Sequence, residues 1–114
     1  MDQNRSKLID LFIGNISNAI LHRILENAID NKDIANKYIK ESKNSWDIAK
    51  RYREKINPVS TYLPDKDMNY IKQKITNKVR AELLIRISKG YENIDLNLVE
   101  ESIDKALREI KIIK

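Results

Sequence analysis

Residues 70–90 read YIKQKITNKVRAELLIRISKG, and in them Ile71, Ile75, Val79, Leu83 and Ile87 recur at every fourth position. A spacing of three to four between apolar residues puts them on one side of an α-helix, whereas a half-buried strand alternates every second residue. Tyr70, Met68 and Leu84 flank the stripe. The helix starts near Asp65 or Asp67 and ends with Lys89 and Gly90, a cation at the negative end of the helix dipole and a natural C′ residue.

The same period extends in both directions. Towards the N-terminus, Ile9, Ile13, Ile16, Ile20 and Ile24, widened by Phe12, Ala19, Leu21, Leu25 and Ala28, predict a first helix over about 5–30 whose broad apolar face packs on at least two neighbours. Gly14 inside it implies close helix–helix approach or a break at 14–15. After the turn at 30–33, with Asp33 as N-cap, a second helix follows Ala35, Tyr38, Ile39, Ser42, Trp46, Ala49, Tyr52 and Ile56. Its stripe weakens at Ser42-Lys43-Asn44-Ser45, so it reads as one long helix with a soft centre or as two, about 33–43 and 45–56. Asn57-Pro58 ends it, and 57–66 is the longest loop. Beyond Gly90, Asp95 and Asn97 compete as the cap of a last helix, Asn97 with Glu100 forming a capping-box pattern. Val99, Ile103, Ala106, Leu107 and Ile110 make its apolar face. The expected fold is all-α, a single domain over 1–114 built as a bundle of four or five amphipathic helices.

The composition excludes much chemistry. The chain has 114 residues and no cysteine, so there is no disulfide, thiolate metal site or cysteine nucleophile. His22 is the sole histidine, which rules out multi-histidine metal sites. No uninterrupted apolar run approaches the roughly 18 residues of a membrane span, and the N-terminus lacks a signal-peptide apolar core. A cytoplasmic protein with no membrane partner is the default expectation. No Gly-rich phosphate loop occurs, and two glycines and two prolines leave little turn material for an all-β fold.

The net charge is +5, from 22 basic and 17 acidic side chains. Two groups carry the asymmetry. Lys50, Arg51, Arg53 and Lys55 surround Tyr52 at the end of the second helix. Lys74, Lys78 and Arg80 lie on the third, where Lys72, Arg86 and Lys89 add to them against a single acid, Glu82. A helix end or a solvated face explains each structurally; contact with nucleic-acid backbone or with an acidic partner explains each functionally. Helix-turn-helix recognition by the last helix fails on charge, because Asp95, Glu100, Glu101 and Asp104 in its first turns would repel phosphates. His22, Glu26 and Asp30, spaced i, i+4, i+8, read better as a salt-bridged helix face than as ligands or catalysts. Trp46 fits the core stripe. Tyr62 and Leu63, between two prolines, either cover a bundle end or anchor a partner.

The stretch from Tyr70 to Ile110, with YIKQKITNKVRAELLIRISKG followed by the acidic-start helix ENIDLNLVEESIDKALREI, resembles the helical A-domain of archaeal GINS subunits. The resemblance implies a non-catalytic scaffold subunit bridging components of a replicative helicase. The residues and the resemblance together lead to the expectation of a non-enzymatic interaction or scaffold protein without cofactor, with a protein partner, as a homo- or hetero-oligomer, in a nucleic-acid-handling assembly of the replication type. The alternative is a small basic helical protein that binds nucleic acid directly and without sequence specificity.

Overall fold

The computed structural model describes residues 5–56 and 63–112. Four α-helices occupy them: α1 (Arg5–Ala28), α2 (Lys32–Ile56), α3 (Asp65–Ser88) and α4 (Val99–Glu109), the last entered through a 3₁₀ turn at Leu96–Leu98. Among the described residues there is no strand, and the fold is an all-α single domain.

α1 is the hub. Eleven of its 24 residues are buried, Phe12, Ile16, Ala19 and Leu25 completely. It packs against α2, α3 and α4, while α3 and α4 also pack on each other. Each fully buried leucine or isoleucine contributes about 1.5–3 kcal/mol, so the wide stripe of α1 supplies much of the drive to fold. The helix is also long and apolar enough, by length and composition, to cross a membrane. Counting uninterrupted apolar runs overlooks this, because single polar residues such as Asn15 and Ser17 interrupt it. Here its apolar surface is used up by the other three helices.

The helices run up-down-up-down. Ser42 on α2 donates through Oγ to the Ala19 carbonyl of α1 (2.9 Å). Arg5 pairs with Asp67 (2.6 Å) and the Tyr70 hydroxyl donates to Asp10 (3.2 Å), joining the first turns of α1 and α3. Lys72 of α3 meets Asp104 of α4 at 2.9 Å. The soft centre of α2 is thus a continuous helix. Its small residues Ser42 and Ala49 are buried against α1, and the hydroxyl that weakens the stripe in sequence makes a buried interhelical bond.

Several local expectations change. Asn31, not Asp33, caps α2: its Oδ1 accepts from the amides of Asp33 (2.9 Å) and Ile34 (3.2 Å). Asp95, not Asn97, is the cap before α4, accepting from the Asn97 amide at 2.9 Å. Gly14 marks neither a break nor a close backbone approach, since a Cβ there would meet only the Lys78 ammonium at 3.9 Å. Leu63 is 3% exposed within the core, so it cannot be a partner anchor. Tyr62 lies outside the described residues.

α3 and α4 end alike. In each, the amide two residues past the cap reaches back five positions, Tyr91 to the Arg86 carbonyl (3.1 Å) and Ile112 to that of Leu107 (2.8 Å). The residue between is left-handed: Gly90 at φ +97° in the first, Lys111 at φ +61° in the second.

Candidate functional site

α2 touches α1 extensively but has no comparable contact with α3 or α4. A groove therefore opens between α2 and α4, with α1 as its floor and a volume of about 530 Å³. Ile20, Ile24, Ile39 and Trp46 give it apolar surface; Arg23, Lys43 and Lys105 face Glu26 and Glu109 around it. The Arg23 guanidinium stacks 4.3 Å from the Trp46 ring centre and also lies 3.7 Å from Glu109. Such a cation–π contact contributes about 0.5–2 kcal/mol, depending on how far it is desolvated. Trp46 is only partly buried, packed against the core and lining the groove. Ile39 is 46% exposed there. The groove thus combines partly exposed apolar side chains with a charged rim.

The basic residues expected at a contact surface do not form one patch. Lys50, Arg51 and Lys55 are exposed, with Lys55 over the Tyr52 ring (5.6 Å). Arg53 does not belong with them. It is 1% exposed, and its Nη2 donates to the Lys111 carbonyl at 3.0 Å. Position 53 follows Ala49 and precedes Ile56 on the inner face, so a cation that charge counting assigns to a surface instead holds the end of α4. Its burial lowers the guanidinium pKa. On α3, Lys74, Lys78 and Arg80 are all exposed. At 100° per residue, however, Arg80 falls on the opposite flank of the buried row from Lys74 and Lys78. Lys74 lies over the Tyr70 ring (5.7 Å), whose hydroxyl pKa is raised chiefly by the Asp10 charge.

His22, Glu26 and Asp30 separate. His22 turns to α2, with Nε2 3.5 Å from Glu41 and its ring 5.4 Å from that of Tyr38. Glu26 faces the groove, and Asp30 is exposed in the α1–α2 turn. Among the described residues no three His, Asp or Glu side chains gather as metal ligands. Burial lowers the His22 pKa below 6.5; Glu41 opposes the shift and Arg86 adds to it. In the window below 6.5 the unfolded chain therefore binds more protons than the folded one, and stability falls as the pH falls. Urea denaturation at pH 7.5 and 5.5 is expected to show this loss in the wild type and a smaller one in His22→Gln. Equal losses in both proteins would remove His22 as the cause.

Sequence reading missed the groove's charged rim. Arg23, Lys43, Lys105 and Glu109 sit in three helices, and nothing in their local patterns says that they converge. Trp46 was visible as an aromatic in a thin stripe, a hint that one side of it stays open. Set against models of known protein families, curated proteins and solved structures, the chain matches none.

Proposed function

We propose that this chain is a non-catalytic helical interaction module, a scaffold subunit of a nucleic-acid-handling assembly of the replication type, whose protein partner seats in the α2–α4 groove. The observation that carries this reading is the pairing of partly exposed apolar side chains, Ile39 and Trp46, with a rim that holds three cations and two carboxylates. An amphipathic helix with an acidic flank suits such a cleft: its apolar anchors would meet Ile24, Ile39 and Trp46, and its carboxylates Lys43 and Lys105. Affinity capture from native lysate, with and without nuclease, tests it. A partner is expected to persist after nuclease and to be lost from Ile39→Asp, which should still fold, as checked by circular dichroism, because Ile39 is half exposed. Capture that vanishes with nuclease, or that is indifferent to Ile39→Asp, sinks this reading.

The second reading is direct, sequence-tolerant binding of nucleic acid through Lys50, Arg51, Lys55, Lys74, Lys78 and Arg80, favoured by the exposure of all six. Lysines act on phosphates as point charges, without the planar fork of arginine. Binding is expected to be weak and steeply salt-dependent, losing roughly 0.9 of its log–log salt slope for every phosphate contact removed. Because Lys74 and Lys78 share a flank that Arg80 does not, Lys74→Glu with Lys78→Glu should flatten the slope together, and Arg80→Glu separately. Absence of any binding at about 50 mM salt ends this reading.

A further inference from the structure

On the other side of α1, between α1 and α3, lies a second cavity of about 170 Å³, lined by Ser17, Asn18 and His22 from α1 and by Lys78, Glu82 and Arg86 from α3. Two of its polar atoms are buried and without a hydrogen-bond partner: Ser17 Oγ and His22 Nδ1. Ser17 is 2% exposed. A helical hydroxyl in that position usually bonds back to the carbonyl four residues earlier, as Thr76 does here to Lys72 (2.8 Å); Ser17 does not. A buried polar group left without a partner is costly, so two of them lining one cavity mark a place suited to something polar.

The charges say what kind. Lys78 and Arg86 stand against Glu82, which Arg86 engages at 2.9 Å, so the α3 wall has one cation in excess. His22 has Glu41 at its Nε2, with Tyr38 beside the ring and Tyr91 beyond it against Tyr38. With Nε2 turned to Glu41 at 3.5 Å, a neutral imidazole that keeps its proton on Nε2 presents Nδ1 as an acceptor, and the doubly protonated ring presents it as a donor. We infer that the cavity binds a phosphate-sized oxyanion, with Ser17 Oγ and protonated His22 Nδ1 as buried donors and Lys78 as the counter-charge. Asn18 can complete the shell through its amide. Binding takes up one proton, on His22, which would then lie between the Glu41 carboxylate on one nitrogen and the anion on the other. Free phosphate and a phosphate ester at the end of a small molecule share this chemistry.

His22 is the sole histidine, so its imidazole resonances report the site without assignment. They are to be titrated by NMR from pH 5 to 8 in chloride, in sulfate, which stays dianionic over that range, and in inorganic phosphate, at one ionic strength, and again with adenosine monophosphate. Sulfate and phosphate are expected to raise the His22 pKa by about one unit over chloride, and sulfate, whose charge does not change over the range, to bind more tightly at low pH. Ser17→Ala and Lys78→Gln are each expected to weaken the effect about tenfold, and Lys66→Gln, an exposed lysine of the same helix, not at all. A response to adenosine monophosphate at much lower concentration than to phosphate identifies the anion as part of a larger ligand. Titrations that coincide in chloride, sulfate, phosphate and adenosine monophosphate overturn the inference, since the cavity then holds solvent only. So does an equal effect of Lys66→Gln and Lys78→Gln, which would reduce the response to overall charge. The dispersion of the resonances shows in every sample that the variant is folded.

Discussion

Ile75→Ala is expected to lower the stability by about 2–5 kcal/mol, while Ile87→Ala, three turns further along the same i+4 row, should cost less than about 1 kcal/mol. The difference comes from helix geometry. Each i+4 step advances about 40° around the helix, so a row that starts on the core at Ile71 has swung to its flank by Ile87. Ile71, Ile75, Val79 and Leu83 are buried, and Ile87 is 38% exposed. Deleting three heavy atoms from Ile75 leaves a cavity between α3 and the helices it packs on, whereas the same deletion at Ile87 removes a side chain already in partial contact with water. Urea denaturation of both variants, compared through their midpoints, checks this. Losses of equal size at the two positions would mean that the far end of α3 is covered by an element the helices described here do not provide.

The second large effect is expected at Arg53. Arg53→Ala should cost about 2–4 kcal/mol, from an unsatisfied carbonyl at Lys111 and from lost packing of the buried side-chain stem. Arg51→Ala, two residues away and exposed, should stay within about 0.5 kcal/mol. The guanidinium does two things at the end of α4. It donates to the Lys111 carbonyl at 3.0 Å and places positive charge at a helix C-terminus. Lys111 needs that support because it holds a left-handed φ of +61° without being glycine, a conformation costing about 1–2 kcal/mol for a residue with a Cβ. Arg53→Lys is expected to recover little, since an ammonium cannot reproduce the reach and planarity of the fork. Lys111→Gly should in turn recover part of what Arg53→Ala loses. Thermal denaturation of the four variants decides it; an Arg53→Ala protein as stable as Arg51→Ala would show that the tail of α4 holds itself.

What could be read from the residues alone follows from how local each signal is. The four helices were legible because periodicity is a property of neighbours in sequence: Ile9 to Ile24, Ile71 to Leu83 and Val99 to Ile110 lie where their spacing puts them. Gly90 announced its turn, since glycine is the usual answer to a positive φ. Lys111 adopts the same conformation and announced nothing, because its stabilising partner sits on another helix. Arg53 was misjudged for the same reason. Composition makes a run of cations look like a surface, and only the packing of α2 on α1 turns one of them inward. Leu63 looks like a candidate anchor in sequence although it is core, because loops carry no period from which to infer a buried side. The groove and the Ser17–His22 cavity are products of tertiary placement. The one sign of the cavity within a single segment is a serine among Ile13, Ile16 and Ile20, a polar residue where the stripe calls for an apolar one.

The dependence of α2 on one neighbour has an energetic consequence. Apart from the Arg53 bond to the end of α4, nearly all of its packing is against α1, whereas α1, α3 and α4 hold one another in pairs. That one interface is the most extensive of the bundle, so α1 and α2 open together, while the short α4 rests on smaller contacts with α1 and α3. The molecule thus has two opening thresholds, a lower one for α4 and a higher one for the α1–α2 pair. Amide hydrogens of α4 should exchange through the first, and those in the middle of α1 and on the α1-facing side of α2 only through the second. A protein organised in this way can exchange one helix with its surroundings while the rest of the native state stays shut.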